Sequence, residues 1–330
     1  MKFGNIYAMA LAAALVLPLG ACEGKGGKRQ LPTGNTSTSG TVVIAADASF
    51  QNIVQEEIDV FEYCYPGASI LARYADEHAV VDSLLFGSAR CAVISRELTK
   101  DEISFLRDKR HIAKTKKIAV DAIAVIVNDE NPVENLSISE LREILSGEVT
   151  EWGQLSPTKL GKIQVVFDHS GSSVVKFMAD SVLRGAKFAP TVASAETMPA
   201  VFEAVKERKD AIGLVSVSWI SSDLKSADLS TEERLKTLEV DDTTATSFTD
   251  EVKVLPIRRD NSLTAYKPYQ AYIFDGRYPL FRSIWMVNTG AAGSLASGFF
   301  SFVTSFRGQK LIQQTGVLPA TVHQRMVEVE

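Results

Sequence analysis

From Thr41 to Ile257 the chain repeats one alternation: a short apolar run, then a stretch whose apolar residues recur at helical spacing. Strands buried on both faces read as unbroken apolar runs, and surface helices as stripes of period 3.6. The pattern therefore predicts an α/β architecture with mostly parallel sheets. The strand runs are Thr41–Ala46, Ala68–Ala72, Cys91–Ile94, Lys117–Asn128, Ile163–Phe167 and Ala211–Val215, and Glu251–Ile257 reads as extended. Val54, Ile58 and Phe61 stripe a first helix, which Pro66-Gly67 ends. Further helices fall at His78–Phe86, Thr99–Arg110, around Val174, Met178 and Val182, and at Pro199–Arg208. Ser137-Ile138-Ser139-Glu140 is a capping box, with Leu136 and Leu141 at the staple positions and Gly147 as C-cap. Late in the chain, Leu295, Phe299, Phe302, Val303 and Phe306 stripe a helix that Gly308 breaks before a final one from Gln309. The polar stretch Ser221–Thr249 reads as a surface excursion. With 330 residues and no internal repeat, two helix-covered sheets fit, near 41–125 and 126–255.

The first residues form an address. Lys2, an apolar run from Ile6 to Leu19 and small residues before a cut site make an export signal at 1–21. The run is too short to span a bilayer comfortably. Leu19-Gly20-Ala21-Cys22 resembles the bacterial lipobox, so Cys22 is expected to be diacylated and to become the new N-terminus. Residues 22–40, rich in Gly, Ser, Thr and Lys, read as a flexible tether. The expected location is the bacterial cell envelope, anchored by lipid. Cys64 and Cys91 complete the three cysteines. An exported protein can join them, but both lie in apolar surroundings, where free buried thiols are common.

Thirty-five Lys and Arg against 40 Asp and Glu give a net charge of -5, which argues against a nucleic-acid partner. It leaves room for one small anion, because a local nest of N–H donors is independent of global charge. Three strand ends carry small hydroxyl residues: Ala48-Ser49-Phe50, Ser95-Arg96 and Ser170-Gly171-Ser172-Ser173. Helix N-termini offer unpaired N–H groups, serines offer donors, Gly171 permits close approach, and Arg96 offers a charge-assisted partner. In open α/β sheets ligands sit at the carboxyl ends of strands. Together these turns suit a tetrahedral oxyanion such as phosphate, although any single serine there can be a helix cap. His169 beside Ser170 makes a poor base–nucleophile pair, because neighbours in sequence rarely reach the geometry and no nucleophile elbow is present. Asp76-Glu77-His78 is a solvated face rather than a metal site, since consecutive residues do not converge. Neither catalysis nor a cofactor is expected.

The order of these pieces resembles the phosphate-binding lipoproteins of ABC importers, which have the type II periplasmic binding-protein fold. The resemblance is carried by Ala48-Ser49-Phe50, Tyr65-Pro66-Gly67, Ile94-Ser95-Arg96-Glu97-Leu98 and Asp121–Asn128. It continues through Ile144–Trp152, Ser170-Gly171-Ser172, Ala211–Val215, Tyr278-Pro279-Leu280 and Ser305–Gln309 with Gly316–Pro319. It implies two lobes with a hinge between them, 41–125 plus 256–330 and 126–255, each a mostly parallel sheet flanked by helices. The lobes would close on a dehydrated anion and hand it to a permease and ATPase complex, with a monomeric receptor and no enzymatic step. The ligand set it implies is Ser49, Phe50, Ser95, Arg96, Asp168, Ser170, Gly171 and Ser172. A sensor or surface protein on the same fold, with a diverged ligand site, is the alternative.

Three departures from the family pattern stand out. The second loop, usually rich in Ser and Gly, reads Arg73-Tyr74-Ala75-Asp76-Glu77-His78. No Arg precedes Ser170, where the sequence is Val166-Phe167-Asp168-His169. Ser95-Arg96 occupies a turn where an Asp often accepts the proton of hydrogen phosphate. Arg96 then supplies positive charge from another direction, and Asp168, Asp76 or Asp47 is the candidate proton acceptor. A carboxylate facing sulfate, which has no proton to give, is unfavourable in a dry site.

Overall fold

The computed structural model describes residues 34–221, 230–232 and 248–321. The export signal, Cys22, most of the tether and most of the Ser221–Thr249 excursion lie outside the described residues. The strands are β1 (Ser39–Asp47), β2 (Gly67–Ala75), β3 (Cys91–Ile94), β4 (Lys114–Val127), β5 (Leu136–Ser137) and β6 (Gln164–Phe167). They continue as β7 (Ala193–Ser194), β8 (Ala211–Ser216), β9 (Lys253–Leu255), β10 (Ile257–Arg258), β11 (Phe281–Asn288) and β12 (Leu318–Pro319). Each predicted apolar run is one of these strands.

One curled sheet runs in the order β2-β1-β3-β11-β4-β8-β6-β7, with β9 and β12 also on β4, flanked by helices. The parallel pairing expected from the alternation holds for the outer strands, β2-β1-β3 and β7-β6-β8. The middle is antiparallel: β4 runs against β11, β12, β8 and β9, and β11 against β3. The reason is that β4 belongs to both halves. Its early residues pair with β11, and Ile123–Val127 pair with β8. β4 is buried from Ile118 onward except Val120, and Asp121 is the polar residue in that run.

Local signals place the helices. Ser137 accepts from the Glu140 N–H and Glu140 reaches back to Ser137, the capping box of the helix Ile138–Ser146. Gly147 closes it at φ +83°, a left-handed position where glycine has no Cβ cost. Thr99 and Glu102 form a second box at Lys100–Asp108. The late helices differ from expectation: Leu295–Val303 ends early, Ser305 caps the next, and Gly308 lies inside Phe306–Gln314. A Cβ on Gly308 would meet the Phe302 carbonyl at 2.5 Å, so glycine lets the two helices approach. Cys64 and Cys91 are free thiols, and burial pushes Cys91 up to about 12.

Candidate functional site

β1 is apolar up to Asp47, whose side chain folds back to accept from the Ser49 N–H at 2.9 Å. This Asx turn tips the chain from strand into the short turn Ala48–Phe50 and then the helix Gln51–Cys64. The turn buries Ser49 and Phe50. From the other half of the sheet, β6 ends at Phe167, and Asp168–Ser172 lead into the helix Ser173–Phe177, which Ser172 caps. The two strand ends meet: the hydroxyls of Ser49 and Ser173 lie 3.1 Å apart, and Ser173 Oγ donates to Asp47 Oδ1 at 2.8 Å. Trp219 Nε1 donates to the Ser49 carbonyl at 3.2 Å, a second contact across the halves.

Arg282, on β11, organises this junction. Its Nη1 donates to Ser173 Oγ at 2.6 Å and its Nε to Asp121 Oδ2 at 3.0 Å. Its guanidinium carbon stands 4.6 Å from the Phe50 ring centre, within cation–π range. Ser216 Oγ donates to Asp121 Oδ1 at 2.8 Å, and Ser218 follows at 3.0 Å. Asp47, Ser49, Asp121, Ser173, Ser216, Ser218 and Arg282 are all buried. Two charged atoms in the cluster have no partner among the described residues: Asp47 Oδ2 and Arg282 Nη2. Burial raises the pKa of Asp47 and of Asp121, each against the lowering pull of Arg282. The cluster thus holds an unpartnered donor and an unpartnered acceptor on two groups that share Ser173 Oγ, in a buried place where each is worth more than in water.

The remaining predicted residues divide. Ser170 and Gly171 are exposed, and Ser172 is buried as a helix cap. Asp168 is buried with its pKa raised by burial; its Oδ2 lies 3.3 Å from His169 Nδ1 and its Oδ1 has no hydrogen-bond partner among the described residues. Ser95 and Arg96 are engaged by a carboxylate of the same chain. Glu77, buried, accepts from the Ser95 N–H at 2.7 Å and from the Ser95 hydroxyl, and lies 3.2 Å from Arg96 Nε. Both Arg96 terminal nitrogens donate to Glu102, at 2.9 and 2.8 Å, which lowers the Glu102 pKa and raises that of Arg96. Asp76 plays a matching part at Gly171. A Cβ there would meet Asp76 Oδ2 at 2.1 Å, and Asp76 Oδ1 lies 2.5 Å from His169 Nε2. The diverged second loop therefore lays one carboxylate on each of two serine turns. Asp76, Glu77 and His78 face separate partners, His78 lying 3.5 Å from Asp82.

Arg282 is the charge that sequence reasoning missed. The run Phe281-Arg282-Ser283-Ile284-Trp285-Met286 does alternate, with Arg282, Ile284 and Met286 buried, but an arginine on the inward face masks the pattern. Ser173 stood at the edge of a recognised turn and was taken as part of it rather than as a ligand.

A family model described as a PBP superfamily domain matches residues 31–307. The chain belongs to the PBP superfamily. Like other members of this superfamily's two-lobed structures, it is a binding-protein scaffold of mixed α/β type. A substrate-binding protein of Clostridium perfringens, solved with bound phosphate, superposes with a TM-score of 0.67 at 19% identity, covering 86% of this chain and 100% of that one. The phosphate-binding protein PstS of Pseudomonas aeruginosa is 22% identical over 303 residues, 87% of this chain and 83% of its own. PstS 2 of Streptococcus agalactiae is 32% identical over 119 residues, 36% of this chain; that match spans 39% of the relative's length. Among the described residues, no helix of this PBP superfamily chain is long and apolar enough to cross a membrane.

Proposed function

We propose that this chain is a monomeric phosphate receptor of an ABC importer, held to a bacterial envelope membrane by lipid on Cys22. It captures phosphate between lobes 41–125 plus 256–330 and 126–255 and presents it to a permease and ATPase complex. The carrying observation is the buried, unpartnered pair Arg282 Nη2 and Asp47 Oδ2, joined through Ser173 and beside Ser49. A donor next to an acceptor fits an oxyanion that still carries a proton. Hydrogen phosphate accepts from the guanidinium and gives its proton to the carboxylate, whereas sulfate has nothing to give. Ser49, Phe50, Ser170, Gly171, Ser172 and Asp168 border this ligand, and Ser95 and Arg96 hold Glu77 instead.

Calorimetric titration of the full chain tests this. Phosphate should bind and sulfate should bind at least about a hundredfold more weakly, the cost of roughly 3 kcal/mol for a carboxylate left against an unprotonated anion. Arg282→Lys should weaken phosphate by about 10- to 100-fold, because an ammonium cannot hold Ser173, Asp121 and an anion at once. Silence at millimolar phosphate, in protein stripped of prebound ligand, would remove the transport reading. It would favour a sensor or surface protein with a diverged ligand site, for which the carboxylates of Asp76 and Glu77 on two serine turns already speak.

A further inference from the structure

We propose a second binding site on the edge of the sheet opposite the anion cluster, which takes the headgroup of an anionic phospholipid. The anion cluster sits at the carboxyl ends of β1 and β6. At the amino ends of β1 and β3 lies an open cavity of about 620 Å³. Buried Val42 and Ala296 give it an apolar floor, and exposed Arg90, Arg110, Ile112 and Lys114 line it with His111. No carboxylate pairs with Arg90, Arg110 or Lys114 among the described residues, and no acidic side chain lines the cavity. Residues 107–117 hold Arg107, Lys109, Arg110, Lys114, Lys116 and Lys117 against Asp108 alone, in a chain whose net charge is -5. Ile112, in the middle of that segment, is 81% exposed.

A cationic rim over an apolar floor matches an amphiphile with an anionic head, not a bare ion, and basic segments of this kind are drawn to anionic bilayers. Asn35 also lines the cavity, so the chain from Cys22 reaches the fold at this place. The thirteen residue steps from Cys22 to Asn35 span at most about 45 Å, so a lipid-anchored chain keeps this face within reach of its membrane. The assignment of the membrane source rests on the envelope location proposed above; the lipid chemistry does not.

The test uses the full chain carrying Cys22→Ser, so that no acyl group contributes, and vesicles of phosphatidylglycerol with phosphatidylcholine against phosphatidylcholine alone. The protein should float with the anionic vesicles and much less with the neutral ones. The double variant Arg110→Asn with Lys114→Ser, where Asn suits the left-handed backbone of residue 110 (φ 61°), should lower that partition about tenfold or more. Its calorimetric response to phosphate should match the parent, which separates this site from the anion cluster. Equal partition of parent and variant, or equal partition on both vesicle types, overturns the proposal. So does release of bound protein by inorganic phosphate at matched ionic strength, which would make free phosphate the ligand of this cavity.

Discussion

Glu77 is the residue that occupies the second serine turn. It satisfies the Ser95 N–H and hydroxyl and stands beside Arg96, the contacts an oxyanion would otherwise make there. Glu77→Gln keeps the shape and removes one negative charge from the turn that the proposed anion would share. Phosphate affinity should then rise by about 3- to 30-fold, from roughly 1–2 kcal/mol of relieved repulsion; unchanged or lower affinity in calorimetry would show that Glu77 serves only to brace Arg96. Glu57 is a second buried carboxylate, with both oxygens unpartnered among the described residues, and burial lifts its pKa well above the ordinary carboxylate range. A group whose folded pKa is raised stabilises fully below the unfolded value, and that contribution is lost as pH climbs through the folded one. Relative to Glu57→Gln, the parent should therefore lose stability as pH climbs above the unfolded carboxylate range, read by urea unfolding at a series of pH values. A pH-independent difference between the two would contradict the upward shift that burial gives Glu57.

The elements were legible wherever the physics is local. Apolar runs marked the outer strands β1, β2, β3, β6 and β8 but not the two-residue β7, and Ser137, Glu140 and Gly147 marked both ends of one helix. β11 was illegible because its inward positions include Arg282 and Asn288, which belong inside only once Asp121 and the β3 edge are in place. Site partners were illegible for the same reason: Ser49 meets Ser173 across 124 positions, and Arg282 meets Asp121 across 161. What could be read was that serine turns lie at strand ends; that the Ser49 turn meets Ser173 while Ser95 turns to Glu77 needed the register of the sheet. Gly308 was misread as a breaker because a glycine required for helix-to-helix contact looks the same in sequence as one required for a turn. Gly308→Ala should cost about 1–3 kcal/mol by overpacking against Phe302 and Val303, measured as a lower urea midpoint with unchanged phosphate binding.

At the scale of the whole molecule, the family and the mixed α/β scaffold agree with the reading from sequence. Arg282 reaches the junction from a late strand, beside the strand that belongs to both halves. That shared strand has a mechanical consequence. Any cut between residues 125 and 126 severs a hydrogen-bonded ribbon whose neighbours on either flank lean on it. The halves are thus not separable modules that could be expressed alone and recombined, and the polypeptide should melt as a single cooperative unit.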